Sequence, residues 1–188
     1  MEPVFTLQWP EFKVAQKLQK LLPQKDGYSI LVPLSRQEKG IDLAVLHRRG
    51  NSRSKTTTIQ VKASRTYPSQ PPKRTKTDKF QFETWFNRFD VPDRADFVIL
   101  FSMYAPDRRR TAQVSAEWYE DCSLLFTNKE MRTFMANCKT VGGKSDPMFG
   151  FGFNDLSKVI QTRGDMKRSR RDFTKHLLEH KITELKKR

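Results

Sequence analysis

The spacing of apolar residues divides the chain into segments of distinct period. Across residues 10–22 they recur at Val14, Ala15, Leu18, Leu21 and Leu22, steps of three and four that predict a helix. Pro10 suits its first position and Pro23 ends it. Three strands are expected next. Residues 28–32 are short and stop at Pro33. Residues 41–47 (IDLAVLH) are apolar almost throughout. Residues 56–64 (TTTIQVKAS) alternate, with Ile59, Val61 and Ala63 on one face and Gln60 and Lys62 on the other. The polar stretch 48–55 between the last two, with Gly50 and Asn51, predicts a hairpin with an open loop.

Farther along, residues 66–79 read as an exposed loop, with Pro68, Pro71 and Pro72 among Lys and Arg. The aromatic run 80–89 (FQFETWFNRF) reads as a strand end followed by a helical turn. Residues 95–103 (ADFVILFSM) give the clearest buried-strand signal, 111–114 an edge strand and 148–153 (MFGFGF) a last strand. Thr127 and Glu130 form a capping box that opens a helix to about Lys139. Residues 169–186 predict a basic helix with Phe173, Leu177, Leu178, Ile182 and Leu185 on one face.

Charge changes the picture more than size does. The 188 residues are enough for one domain with a real core, and 36% are hydrophobic, including 14 Phe and 3 Trp. Against 36 Lys and Arg stand 21 Asp and Glu, a net charge of +15, which points to a polyanion, nucleic acid foremost. No apolar run approaches the ~18 residues of a membrane span, and the N-terminus does not read as a signal peptide. Cys122 and Cys138 fit no metal-ligand spacing and argue against a disulfide framework, so the expected location is the cytoplasm. Gly143-Lys144-Ser145 lacks the earlier glycine and the following helix of a phosphate-binding loop. His176 and His180 have helical spacing but no third ligand nearby, and read as a solvated or DNA-facing pair.

Four residues contradict their surroundings. Glu11 is a carboxylate on an apolar helix stripe, Asp42 sits in an apolar strand, and Gln60 and Lys62 share a face of the neighbouring strand. A buried carboxylate needs a partner, and a divalent cation or a lysine would serve. Two carboxylates and a side-chain carbonyl are hard oxygen ligands suited to Mg²⁺. Lys62, ~6–7 Å from Gln60 along the strand, could act on an attacking water or a phosphoryl oxygen.

Gly40-Ile41-Asp42, followed by Ile59-Gln60-Val61-Lys62 and preceded by a helix bearing Glu11, resembles the PD-(D/E)XK nuclease superfamily. The resemblance covers roughly residues 9–102. It implies an α/β, restriction-endonuclease-like core, a mixed central sheet flanked by helices, over residues 1–164. The basic helix 165–188 would pack on it or extend from it. It implies a Mg²⁺-dependent deoxyribonuclease, with Mn²⁺ as substitute, in which Glu11, Asp42, Gln60 and Lys62 are catalytic. Asp42, Gln60 and the Val61 backbone carbonyl would be the metal ligands. Gln60 stands where the common pattern has Glu or Asp, and some active members carry such a Q-x-K variant.

Residues 47–79 hold ten Lys and Arg against Asp78 alone, which makes Arg48, Arg49, Arg53, Lys55, Arg65, Lys73, Arg74 and Lys76 the expected DNA contacts. DNA is the expected partner, with no membrane, and cutting both strands would favour a homodimer. The alternative is a non-catalytic nucleic-acid-binding protein that keeps the nuclease fold. Trp85 and Phe86 read as core, with stacking on an unpaired base as the other reading.

Overall fold

The computed structural model describes residues 9–33, 40–48, 54–68, 80–105, 119–167 and 169–187. It is a mixed α/β fold with a mostly antiparallel sheet and, among the described residues, three α-helices. Helix α1 (Trp9–Leu21) is followed by strands β1 (Tyr28–Leu31), β2 (Leu43–His47), β3 (Lys55–Pro68), β4 (Phe82–Asn87), β5 (Phe97–Tyr104) and β6 (Glu120–Thr127). Helix α2 (Asn128–Asn137), strands β7 (Met148–Phe153) and β8 (Val159–Arg163), a 3₁₀ turn (Thr174–His176) and helix α3 (Leu178–Lys187) complete the chain.

The 14-residue β3 organises everything else. Its first part pairs antiparallel with β2, from Lys55 opposite His47 to Ile59 opposite Leu43. Residues 59–65 pair with β5, the single parallel pairing among the described strands. Thr66 to Pro68 then pair antiparallel with β4, which leads on to β7 and β8. β3 thus belongs to two sheets, β1-β2-β3-β5-β6 and β3-β4-β7-β8.

Period-2 alternation along β3 and β5 sends side chains to two cores. On one face, Ile59, Val61, Phe97 and Ile99 pack with Val14, Ala15 and Leu18 of α1 and with Leu178, Ile182 and Leu185 of α3. On the other, Val98 and Leu100 meet Phe86, Phe149, Phe151 and Phe153 of the second sheet and Met131 and Phe134 of α2. Each fully buried Phe or Leu contributes ~1.5–3 kcal/mol. Lys17 of α1 joins Asp121 of β6 and Glu179 of α3, both at 2.6 Å, and so ties the helical layer to the sheet.

The capping box at α2 is complete. Thr127 accepts from the Glu130 backbone N–H, and the Glu130 carboxylate accepts from the Thr127 backbone N–H at 2.7 Å. Several expectations need correction. Residues 66–68 are strand, not loop, because β4 supplies their partners. No helical turn follows in 80–89, where residues 82–87 pair along their whole length with β7. The C-terminal helix starts at Leu178 rather than 169, because Asp172 and Leu177 make bridges to Ile160 and Leu124. Phe173 and Leu177 consequently enter the second core while Leu178 enters the first. β6 and β8 were not anticipated, and the strand expected at 111–114 lies outside the described residues.

Candidate functional site

Because β2 begins at Leu43 and β4 joins at Thr66, residues 60–65 of β3 have β5 along one edge and, among the described residues, no strand along the other. Asp42, just ahead of β2, reaches into this notch. Its backbone N–H donates to the Ile59 carbonyl at 2.9 Å, and its carboxylate accepts from the Val61 N–H at 2.7 Å. That carboxylate takes the place a strand carbonyl would hold in a continued ladder. It is half-buried at the strand's start rather than within an apolar strand, and a backbone amide is a partner that the residue pattern did not suggest.

Gln60 and Lys62 flank Val61 and project to the sheet face opposite Ile59 and Val61. Gln60 is only 2% exposed. Its Nε2 donates to the Asp90 carbonyl at 3.3 Å, while its Oε1 is buried with no protein hydrogen-bond partner. The 88–96 segment lies over this face and is pinned there. Asn128 donates to the carbonyls of Pro92 and Ala95 at 2.8 and 2.7 Å, and Arg132 donates to the Val91 carbonyl. Gly40 allows the approach: its φ is +79°, and a Cβ there would lie 2.4 Å from Pro92 Cγ and 3.1 Å from Gln60 Nε2. Lys62 Nζ lies over the Phe89 ring, 5.4 Å from its centroid.

Asp42, Gln60 and Lys62 are therefore gathered around one residue of β3. Glu11 is half-buried in the first turn of α1, whose Val14, Ala15 and Leu18 pack against the Ile59 and Val61 face of β3. Among the described residues no group of three or more His, Cys, Asp or Glu could hold a metal. The oxygens at hand are the Asp42 carboxylate, the orphaned Gln60 amide oxygen and the Val61 carbonyl, which points to the same strand edge as its N–H. One charged and two neutral oxygens fit a hard cation that keeps several waters, as Mg²⁺ does.

Of the expected DNA contacts, Arg48, Lys55 and Arg65 are exposed, and Arg49, Arg53, Lys73, Arg74 and Lys76 lie outside the described residues. Arg48 and Lys55 sit at the far end of the β2–β3 pair, where Lys55 is ~23 Å along the strand from Lys62. Arg65 is three residues from Lys62, ~10 Å.

A cleft of about 380 Å³ opens beside the notch, lined by Lys62, Ser64, Tyr67, Trp85, Asn87 and Phe89 among others. Tyr67 and Trp85 stack in it, 5.2 Å between centroids. Arg88 also lines it, but its guanidinium donates to the carbonyls of Asp146 at 2.6 Å, Cys138 at 2.9 Å and Met135, closing the C-terminal end of α2. Nothing in the letters announced that backbone role. Tyr67 was missed as well, for it fell in a segment read as loop.

The histidines are not a pair. His176 is buried, stacks on Phe126 at 4.5 Å and has Nδ1 3.2 Å from the Leu125 carbonyl, whereas His180 is exposed. Both cysteines are buried free thiols, and burial pushes Cys122 up to about 12 and Cys138 up to about 11. No described helix is long and apolar enough to cross a membrane. Comparison with protein-family models, curated proteins and solved structures finds no match for this chain.

Proposed function

We propose that this chain is a metal-dependent DNA endonuclease with a restriction-endonuclease-like core, the PD-(D/E)XK type in its Q-x-K form. The observation that supports the reading is the Asp42 carboxylate bonded to the Val61 N–H, between Gln60 and Lys62 in the chain, at the notch where one strand edge of β3 lies open. A buried amide oxygen without a protein partner, beside an anchored carboxylate, suits a cation ligand. Asp42, Gln60 and the Val61 carbonyl would hold Mg²⁺ or Mn²⁺, which when bound polarises the phosphodiester and lowers the pKa of water. Lys62 would donate to the phosphoryl oxygen or hold the attacking water, on the open side of the strand. Asp42 would also keep the β3 edge rigid through its bond to Val61, so that these groups meet the phosphate in fixed geometry. The +15 charge supports DNA as the polyanion, and cutting both strands would call for a second copy. The two free thiols suit a reducing cytoplasm.

One observation favours a second reading, a non-catalytic DNA-binding protein of the same fold. Gln60 supplies no charge, which leaves Asp42 as the one carboxylate among the three oxygen donors at the notch. Incubation of plasmid, linear and branched DNA with Mg²⁺ or Mn²⁺ separates the two. A nuclease cuts, and both Asp42→Asn and Lys62→Ala stop cutting while DNA binding persists. If the natural chain is inert and Gln60→Glu gains cleavage, the second reading stands. If no variant cuts any DNA form with either metal, the nuclease reading is wrong.

A further inference from the structure

The aromatic side chains of this protein fall into two populations. Phe86, Phe97, Phe126, Phe149, Phe151 and Phe153 are buried core, whereas Phe12 of α1 is 46% exposed. Tyr67 is 45% exposed and stacks at an interplanar angle of 29° on a half-buried Trp85, inside the cleft that also holds Lys62. The indole has its position because its cross-strand partner is Gly150, where a Cβ would lie 2.3 Å from Trp85 Cδ1. Ser64 fixes the backbone beneath by donating to the Trp85 carbonyl. Arg88 is committed to backbone carbonyls, so Lys62 is the cation in the cleft left to meet a ligand, its ammonium against the ring of Phe89.

An open π-face and an ammonium lining one cleft of about 380 Å³ match one ligand chemistry, a short single strand that offers a planar base to the ring and a phosphate farther along to the ammonium. A base can reach such a face only when it is out of the duplex stack. Tyr67 lies five residues beyond Lys62 on β3, ~16 Å, so the stacked base would sit a few nucleotides from the phosphate held at Lys62.

We propose that the Tyr67–Trp85 cleft binds an unpaired nucleotide, and that the chain's substrate is DNA with a single-stranded element, such as an overhang, flap or branch, rather than continuous duplex. The proposal deepens the nuclease reading and rests on it for the word substrate, while the binding it requires needs no chemistry.

The test measures binding in EDTA, so that cleavage plays no part. Oligo-dT and a blunt duplex of equal length are titrated against the chain, reading Trp fluorescence and anisotropy. Oligo-dT is expected to bind more tightly than the duplex and to quench tryptophan. Tyr67→Ala should weaken oligo-dT by roughly ten-fold or more with little change for the duplex, as loss of one stacking platform does. Tyr67→Phe should restore it. Gly150→Ala, which displaces the indole, should act like Tyr67→Ala, and circular dichroism checks that each variant is folded. Equal losses for oligo-dT and duplex would overturn the proposal, since they would mark a general electrostatic face. So would a wild type that prefers duplex, or one that binds oligo-rU while ignoring oligo-dT, which would point to RNA. Cleft-dependent binding without cleavage of any DNA under Mg²⁺ or Mn²⁺ would leave the cleft intact and remove only the nuclease reading.

Discussion

Replacing Gln60 by Glu tests the site through stability before it tests it through activity. The position is 2% exposed, and its Nε2 bonds to the Asp90 carbonyl at 3.3 Å. Glutamate removes that donor, sets a carboxylate oxygen against the carbonyl, and places a charge near Asp42. A buried polar group left unpaired costs ~1–3 kcal/mol, and a charged one more, so a loss of ~3 kcal/mol in EDTA is expected. For a chain of this size that lowers Tm by ~6–12 °C. The new carboxyl would also resist ionisation, its folded pKa lying above the unfolded value of ~4.3. The folded state then holds the proton more tightly, so the relative stability of Gln60→Glu falls as pH rises through that window. A divalent cation should reverse the loss: at a hundred times its dissociation constant it returns ~2.7 kcal/mol. Thermal scans of both proteins in EDTA and with Mn²⁺, at pH 5 and pH 8, read all of this. If Gln60→Glu melts with wild type in EDTA and Mn²⁺ moves neither, residue 60 does not face a cation site.

Other expectations follow from single contacts. Arg88→Ala should lower stability by ~3 kcal/mol in urea titration, because carbonyls of Met135, Cys138 and Asp146 lose a charged donor. Gly40→Ala should destabilise by more than ~1 kcal/mol, since φ is +79° and Pro92 blocks a Cβ. His176 is held below its usual 6.5 by burial and then by Lys181, so the unfolded chain binds the extra proton first. The stability it contributes should be present above pH 6.5 and be lost as pH falls through its folded value, and His176→Gln should flatten urea midpoints across that window. Burial alone would push Glu130 up, but hydrogen bonds from Lys181 and Thr127 outweigh it and hold the carboxyl below 4.5. Its contribution should hold above pH 4.5 and be lost as pH falls through the lowered value, a limb that Glu130→Gln removes from an acid titration followed by circular dichroism.

Local periodicity and capping chemistry made α1, β2, β5 and the start of α2 readable from the letters, since each carries its own signal. β6 was not readable. Its apolar stretch from Cys122 to Phe126 is short, follows two acids, and becomes a strand through its pairing with β5. β8 has only five residues and needs β7. In 82–87 both faces carry aromatic or apolar groups, which hid the period of two. The C-terminal pattern fitted a helix because Phe173 and Leu177 share its spacing, though they serve a different core. Asp42, Gln60 and Lys62 stood out because their types conflict with their neighbours. The bond from Val61 N–H to Asp42 and the exposure of Tyr67 could not, for both depend on where β2 stops and β4 begins.

The sharing of β3 between two sheets has a bearing on how the protein opens and folds. The pairing of β3 with β5 spans about forty residues of sequence, and that of β4 with β7 about seventy, so much of the structure waits on distant segments. Such topology places folding in the slower range of small domains, milliseconds to seconds. It also removes any cheap route to partial unfolding across the centre, because freeing residues 60–65 means parting a strand anchored in both sheets. The amide hydrogens with which β3 and β5 bond each other should then exchange through the global transition, and the two sheets should melt as one cooperative unit.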